Sequence, residues 1–400
     1  VRVQKLENQD IVCIAGVDFE PLWTRTQQLV WRLPESNRIL YVETPVNFLS
    51  PFKDPALWDK WRLWCRGTRK IKNNLYLYSP PPLLPFANRC RLLNRINQRI
   101  MGRILRGICR KLDFRQPVLL TYLPNTADMA GCLGEKLLVY DCVDEHSAFQ
   151  GFDPRVVSGM EIDLLQKSDL VFVTAQPLYE DKSRYAENIH MLRNAADVKH
   201  FQKAQGEDTP VPADVANLPA PVLGFIGRIK EWVDLDLLKQ VAEARPEWSI
   251  VMIGPVELDA DTSSFKGVEN VHFIGSRPKE VLPNYLKKFD VCLNPFRASR
   301  LTRAVNPLKF YEYLASGKPV VSTPMPEMEE FAGTVEIGEG RDGFIEAVER
   351  ALDDSPEKVK ARLQLSWEHS WEKRVEAMSS KIAEHLKGKE ESGLPLRARN

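Results

Sequence analysis

Short apolar runs rich in β-branched residues alternate with helix-patterned stretches through the first half of the chain. Residues 11–16 (IVCIAG) end in glycine and lead into a helical pattern around 23–33. Residues 38–43, 74–79, 117–122, 136–141 and 169–174 repeat the strand theme. Near-continuous apolar strands separated by helices predict a parallel sheet covered on both faces. The pattern breaks near residue 194, and a polar, proline-bearing stretch up to Pro221 reads as a linker. A second series follows at 221–227, 248–254, 271–275, 290–296 and 318–323, with helical patterns at 234–244 and 308–316. The expectation is an α/β chain of two Rossmann-like α/β/α domains. The boundaries are 1–200, a linker at 201–220, 221–365, a helix at 366–386 within a terminal helical pattern over 357–386, and a disordered tail at 387–400. Ligands of open α/β sheets bind outside the carboxyl ends of the strands, so the active site is expected in an interdomain cleft.

Composition narrows the class. The chain has 400 residues, 44% hydrophobic and 27% charged, which is ordinary for a globular protein. No apolar run approaches the ~18 residues that a membrane span needs. The seven cysteines are scattered and none forms a C-x-x-C pair, which predicts reduced thiols of a cytoplasmic protein and no zinc site. The net charge of +1 conceals a polarised block. Residues 58–115 carry fifteen Lys and Arg against Asp59 and Asp113, a local +13 that leaves −12 for the rest.

The most informative stretch is 301–323 (LTRAVNPLKFYEYLASGKPVVST). Asn306 and Pro307 open a helix, proline being favoured in a first turn where its missing N–H costs nothing. Such a helix start offers free N–H groups and a positive dipole end to an anion such as a diphosphate. Lys309 in that first turn is unfavourable unless an anion lies nearby, and Glu312 can accept both hydroxyls of a ribose diol. An ordinary amphipathic helix with a surface glutamate fits the same letters.

The segment NPLKFYEYLASGKPVVST strongly resembles the donor-binding helix of GT-B glycosyltransferases of the family 4 type. The resemblance is strongest to bacterial enzymes of teichuronic acid and other cell-surface polysaccharide synthesis, and it spans roughly residues 10–375 with its motifs in order. Residues 191–201 (MLRNAADVKHF) resemble the segment joining the two domains, and 225–238 (FIGRIKEWVDLDLL) the first strand–loop–helix of the donor domain. Residues 271–296 resemble the nucleobase loop with the strand after it, and 365–374 (LSWEHSWEKR) the C-terminal helix that crosses back.

The resemblance implies that Glu312 holds the ribose as the second glutamate of an E-x7-E motif. The first glutamate's position is Ala304, so Thr302, Arg303 or Asn306 must serve the donor sugar otherwise. Arg228 matches the family's diphosphate arginine, while the lysine expected five residues later is Val233; Lys230 or Lys309 would supply that charge. Gly227 belongs to the donor loop, and the backbone of Gly275–Arg277 would contact the base. The co-substrate implied is a UDP- or GDP-linked sugar with no further cofactor. The implied activity is transfer to a lipid-linked saccharide or glycan acceptor, with an epimerase of the same fold or a non-catalytic nucleotide-sugar-binding protein as rivals.

In the first domain, residues 137–149 (LLVYDCVDEHSAF) form a buried strand that ends in Asp141, Asp144, Glu145 and His146. A carboxylate at a strand's carboxyl end is where a catalytic base belongs. Asp144 is the first choice, with Asp141 and His146 behind it; Asp141, nearest the strand, could instead be a buried structural carboxylate. Gly16 lets backbone approach a ligand, and Asp18 and Arg25 are acceptor-side candidates. The D-x-D pairs at 234–236 and 259–261 fall on a helix start and a turn, which leaves the enzyme expected to work without a metal.

Arg91, Arg95, Arg99, Arg103, Arg106 and Arg110 recur every three or four residues beside an apolar series, the pattern of an amphipathic helix. Upstream, Trp58, Trp61 and Trp64 interleave with Lys60, Arg62 and Arg66. Tryptophan with arginine is the composition of an anchor on anionic lipid. The expected location is therefore cytoplasmic, peripheral on the inner face of the cell membrane. A solvated arginine face with its apolar side packed on the sheet is the other reading; no nucleic-acid signature is present.

Overall fold

The structure is a computed structural model that describes residues 5–20, 23–257 and 259–392. The chain divides into two compact units, one running to Leu192 and resuming at Arg374, the other Arg193–Lys373.

The first unit is built on eight strands: β1 (Asp10–Ile14), β2 (Arg38–Val42), β3 (Arg69–Lys72), β4 (Leu75–Tyr78), β5 (Val118–Thr121), β6 (Leu137–Cys142), β7 (Leu170–Val173) and β8 (Ile189–Met191). Their order is β3-β4-β2-β1-β5-β6-β7-β8, parallel except where β3 pairs antiparallel with β4. Every residue of β5, β6 and β7 is buried, as the continuous apolar runs require of strands covered on both faces. β3 (RKIK) is not legible in the hydrophobic pattern, because this basic edge strand is held by backbone pairing with β4 and by the ion pairs of Arg69 and Lys72, not by apolar burial.

The second unit holds β9 (Val222–Ile226), β10 (Ser249–Ile253), β11 (Val271–Gly275), β12 (Val291–Asn294), β13 (Val320–Ser322) and β14 (Val335–Ile337), all parallel, in the order β11-β10-β9-β12-β13-β14. Alternation along β9 feeds two cores. Val222 and Ile226 pack with Phe289, Phe310 and Leu314, while Leu223 and Phe225 pack with Leu238, Val241 and Phe344. Both sheets are thus of the Rossmann-like kind the patterning predicts.

Two expectations need correction. The terminal helical pattern over 357–386 is not one helix but two, Pro356–Glu368 and Trp371–Ser392. The break is made by backbone pairing, since the His369 carbonyl accepts from Ala196 N at 3.0 Å and Trp371 N donates to the Ala196 carbonyl at 3.1 Å. The second helix continues through residues 387–392, which were assigned to the disordered tail; residues 393–400 lie outside the described residues.

The long helix Arg91–Lys111 also turns differently from its apolar series. Its buried face is Asn94, Asn97, Gln98, Met101, Gly102, Leu105 and Cys109, whereas Leu92, Ile96 and Ile100 are exposed. Asn97 exchanges hydrogen bonds with the Leu84 backbone at 3.0 and 2.9 Å, and Asn94 donates to Asn125 O and Asp128, both at 2.8 Å. Paired amides tolerate burial, so these contacts set the helix rotation.

Leu238 is fully buried in the second unit's core. Leu238→Ala is expected to cost about 2–5 kcal/mol of stability, read as a lower urea midpoint.

Candidate functional site

In the first unit, the loops at the carboxyl ends of the strands gather most of the predicted residues. Asp141, the fifth residue of β6, is fully buried and meets Arg25 from the helix Arg25–Arg32 in a two-pronged ion pair, 2.8 Å to Nε and 3.0 Å to Nη2. Bidentate pairing inside a protein occupies both partners. Asp141 is therefore the structural carboxylate of the two readings, and Arg25 is engaged with it rather than with an acceptor.

Asp18 takes the Lys60 ammonium at 2.5 Å and Thr44 N at 3.3 Å, and Gly16 lies partly buried against Leu123. Glu43, at the end of β2, went unnoticed in the sequence. Its buried carboxylate accepts from Phe19 N at 3.3 Å, from Arg69 at 3.1 Å and from the Ser79 hydroxyl, joining the loops after β1, β2 and β4. The only signal was a glutamate closing an apolar run.

Asp144 is different in kind. Half-buried on the loop after β6, its carboxylate has no hydrogen-bond partner among the described residues, and burial pushes its pKa up to about 7. His146 is buried two residues on, bonded to the Tyr122 backbone and edge-on to Phe149, with Nε2 lacking a partner. Burial lowers its pKa, although Glu161 and Glu145 act the other way, so the ring is neutral at pH 7. Beneath this loop Lys182 is buried between Glu161 (2.8 Å) and Glu145 (2.9 Å). Burial alone would lower that ammonium's pKa, but the two carboxylates hold it above the ordinary lysine value. This cluster, invisible in the sequence because its members lie far apart, supports the Asp144 loop from below.

In the second unit, three adjacent strands end in glycine at the same edge of the sheet: Gly227 after β9, Gly254 after β10 and Gly275 closing β11. Gly227 N donates to Ile253 O at 2.8 Å and Gly254 N to Gly275 O at 3.0 Å. Gly254 has φ of 147°, and a Cβ there would sit 1.8 Å from Gly227 O, so no other residue fits. The result is a floor of bare backbone. The recurrence of FIG, MIG and FIG at successive strand ends was the available signal for Gly254.

Around this floor the predicted side chains divide into engaged and available groups. Thr302 is buried and spends its hydroxyl on Arg297 O at 2.5 Å and on the capping box with Ser299. Asn306 is also consumed: its Oδ1 accepts from Asn194 N at 2.8 Å, while Nδ2 donates to Tyr311 at 2.9 Å and Glu327 at 2.6 Å. Asn194 returns a bond to Asn306 O at 2.7 Å, and Arg193 reaches Glu327 at 3.1 Å. Neither Thr302 nor Asn306 can replace the missing glutamate. Arg303 is exposed and unpaired among the described residues.

The helix Leu308–Ala315 starts where the 308–316 pattern puts it, with Pro307 at its N-cap position rather than in its first turn, and Tyr313 fastens it to the end of β9 by accepting from Ile226 N at 2.8 Å. The anion that Lys309 required is Glu312 itself, 2.5 Å away. Lys309 occupies Oε2 only, and the nearly buried carboxylate has no other side-chain partner among the described residues. Arg228 is paired with Glu257 at 2.8 Å, and Lys230 lies 3.9 Å from Asp259 above the Trp232 ring. Arg277 turns to Asp214 (2.9 Å) and Tyr285 (2.7 Å), leaving the Gly275–Arg277 backbone at the strand end. The D-x-D residues behave as the sequence suggests: Asp234 caps the helix Leu235–Ala244 and Asp261 accepts from Ser263 N at 2.9 Å. Among the described residues no group of three or more His, Cys, Asp or Glu could hold a metal ion.

Of the predicted membrane residues, Arg91 is tied to Asp128 (3.0 Å) and Asp163 (2.5 Å), and Arg106 donates to Cys132 O at 2.9 Å. Arg95, Arg99 and Arg103 are exposed, Trp64 is partly so, and Trp61 packs between Phe48 and Trp58. No described helix is long and apolar enough to cross a membrane.

The second unit thus presents a parallel sheet edge floored with glycine, a helix N-terminus and a nearly buried glutamate. Residues 220–354, within the second unit, match the family described as Glycosyl transferases group 1. The chain is 31% identical over 204 residues to the putative teichuronic acid biosynthesis glycosyltransferase TuaH of Bacillus subtilis (strain 168). That match takes in 47% of this chain and spans about half, 51%, of the relative. Among solved structures, sucrose-phosphate synthase from Thermosynechococcus elongatus superposes with a TM-score of 0.69 at 15% identity, covering 95% of this chain and 100% of that one. Anabaena Alr3699/HepE in complex with UDP and glucose gives 0.62 at 12% identity, covering 95% and 100%. At such identities the structural likeness establishes the fold, which is that of GT-B glycosyltransferases.

Removing one partner of a buried ion pair strands the other charge. Asp141→Asn is expected to lose about 3–5 kcal/mol in urea denaturation. Asp144 behaves oppositely. Its native pKa is raised to about 7, so its contribution to stability is full below the unfolded value near 4 and is lost as pH rises to about 7. Asp144→Asn is thus expected to gain stability relative to the parent between pH 4 and 8, checked by melts across that range.

Proposed function

We propose that the protein is a glycosyltransferase that moves a sugar from a nucleotide diphospho-sugar to a hydroxyl of a lipid-linked or glycan acceptor in cell-surface polysaccharide synthesis. The observation that carries this reading is the glycine floor beside Glu312, inside the segment matched to Glycosyl transferases group 1. Backbone without side chains admits a nucleotide closely. The free oxygen of Glu312 suits a ribose hydroxyl, and Lys309, Arg303 and Arg228 suit the diphosphate. HepE was solved with UDP and glucose, which supports a uridine diphospho-sugar as the first donor to try.

In the transfer, the bond from the anomeric carbon to the diphosphate oxygen breaks as the bond to the acceptor oxygen forms, and the acceptor's proton must leave. Asp144 is the proposed receiver. A carboxylate without a partner and with a pKa near 7 is divided between its two forms at neutral pH, as a general base requires. A lipid-linked acceptor brings an anionic membrane on the inner face of the cell as the enzyme's working surface. TuaH, a putative teichuronic acid enzyme, supports an acceptor of the cell-surface polysaccharide class.

The test is a panel of UDP, GDP, dTDP and ADP sugars, first alone and then with bacterial lipid extract. One donor turned over only with extract supports transfer; turnover without extract points to an epimerase, and no binding refutes the reading. Glu312→Ala should weaken donor binding by about 1.5–3 kcal/mol, roughly 10- to 150-fold, in calorimetry. Activity should rise through an apparent pKa near 7, and Asp144→Asn should abolish that limb while leaving donor affinity intact.

A further inference from the structure

Upstream of the arginine-bearing helix the first unit carries a group of exposed apolar side chains. The short helices Ser50–Lys53 and Trp58–Cys65 follow β2, and no residue of the latter is buried. Phe48, Leu49, Phe52, Trp58 and Trp64 all stand exposed there, Phe52 at 77%. They are ordered, not loose. Phe52 meets Trp58 edge-on at 5.9 Å, and Trp61 is held between Trp58 (5.1 Å) and Phe48 (5.8 Å). A rigid cluster of five large apolar side chains in water is costly unless something covers it.

A second group of exposed apolar side chains lies on the long helix. Phe48 N donates to Leu83 O at 3.1 Å, and Leu84 is pinned to Asn97, which joins this segment to the long helix. Beyond that joint lie exposed Phe86 and then Leu92 (63%), Ile96 and Ile100. Exposed cations border both parts: Arg62 and Arg66 on the first, Arg95, Arg99 and Arg103 on the second, with Asp59 the one exposed acid on the two helices. Aromatic and aliphatic side chains edged by arginine match the interface of an anionic bilayer, where rings sit at headgroup depth and guanidinium groups meet lipid phosphates.

We propose that this surface, Phe48–Trp64 together with Leu92, Ile96 and Ile100, inserts into the interfacial layer of an anionic membrane. The apolar side chains, not the arginine stripe alone, are the anchor. The same helix turns Lys60 away from its tryptophans to Asp18 (2.5 Å) and Thr44 O (3.0 Å), at the carboxyl ends of β1 and β2. A bilayer under the platform therefore lies one helix from the strand ends. The inference rests on the lipid-linked acceptor proposed above for its purpose only, since attachment is measured without any transfer.

The full chain is sedimented with vesicles of phosphatidylglycerol mixed with phosphatidylcholine, and with phosphatidylcholine alone. The parent is expected to bind the anionic vesicles, with a blue shift in tryptophan emission. Phe52→Ser combined with Leu92→Ser, both on the surface and outside the core, should lower the partition coefficient at least 10-fold while calorimetry shows unchanged binding of UDP. Arg95, Arg99 and Arg103 changed to Glu should lose binding as well. Equal sedimentation of the Phe52/Leu92 variant and the parent overturns the proposal, and so does a parent that stays in the supernatant. Self-association of the parent in ultracentrifugation, abolished by the same two changes, would assign the face to a second copy instead. Loss of UDP binding in the parent would count against the proposed function and leave the vesicle result standing.

Discussion

Parallel strands covered on both faces leave only their ends for chemistry. In both sheets the central strands are buried on each side, so a polar side chain within them must be paired or absent. The candidate groups therefore sit past the strands' carboxyl ends, on loops such as that of Asp144 or on a helix such as Leu308–Ala315, which carries Glu312. There backbone N–H groups come free, and a residue's direction is set by the strand that delivers it. Asp141 and Asp144 show how steep this boundary is. One lies inside β6, fully buried and ion-paired with Arg25, while the other, three residues on, is half-open and its carboxylate is unpaired among the described residues.

Charge pairing then decides which strand-end groups remain usable. Glu43, Asp18, Glu145 and Glu161 are carboxylates at or under the first sheet's edge, and each holds a neighbouring loop through arginine, lysine or backbone. On the second sheet, Thr302 and Asn306 are likewise consumed in holding the approach to the helix Leu308–Ala315. Rigid placement by such contacts is what a site needs from its surroundings, and it removes the placing groups from direct action. Glu312, Arg303 and Asp144 stand out because they retain capacity after that accounting.

The glycine floor works by a different means. Gly227, Gly254 and Gly275 keep side chains out of a strip where backbone comes close to backbone, and Gly254 is fixed sterically by Gly227 O. A surface of this kind meets a ligand with backbone rather than side chains, so the side-chain sequence carries little information about what would lie on it.

The linear pattern determined the two α/β series, most of the strands, the helix Leu308–Ala315 and the candidates Glu312 and Asp144, because burial period and strand-end position are local properties. It did not reveal the basic edge strand β3, the break before Trp371 or the helix through residue 392. The break depends on a backbone partner remote in sequence, Ala196, whereas β3 is held by its hairpin neighbour β4. Tertiary structure also separated Asp141 from Asp144 and Arg303 from Asn306. Which of several polar neighbours is neutralised depends on what folds against it, and Arg25 lies 116 residues from Asp141. The rotation of the helix Arg91–Lys111 was settled the same way. Its apolar period announced an amphipathic helix, but the hydrogen bonds of Asn94 and Asn97 chose the face to bury and left Leu92, Ile96 and Ile100 to the outside.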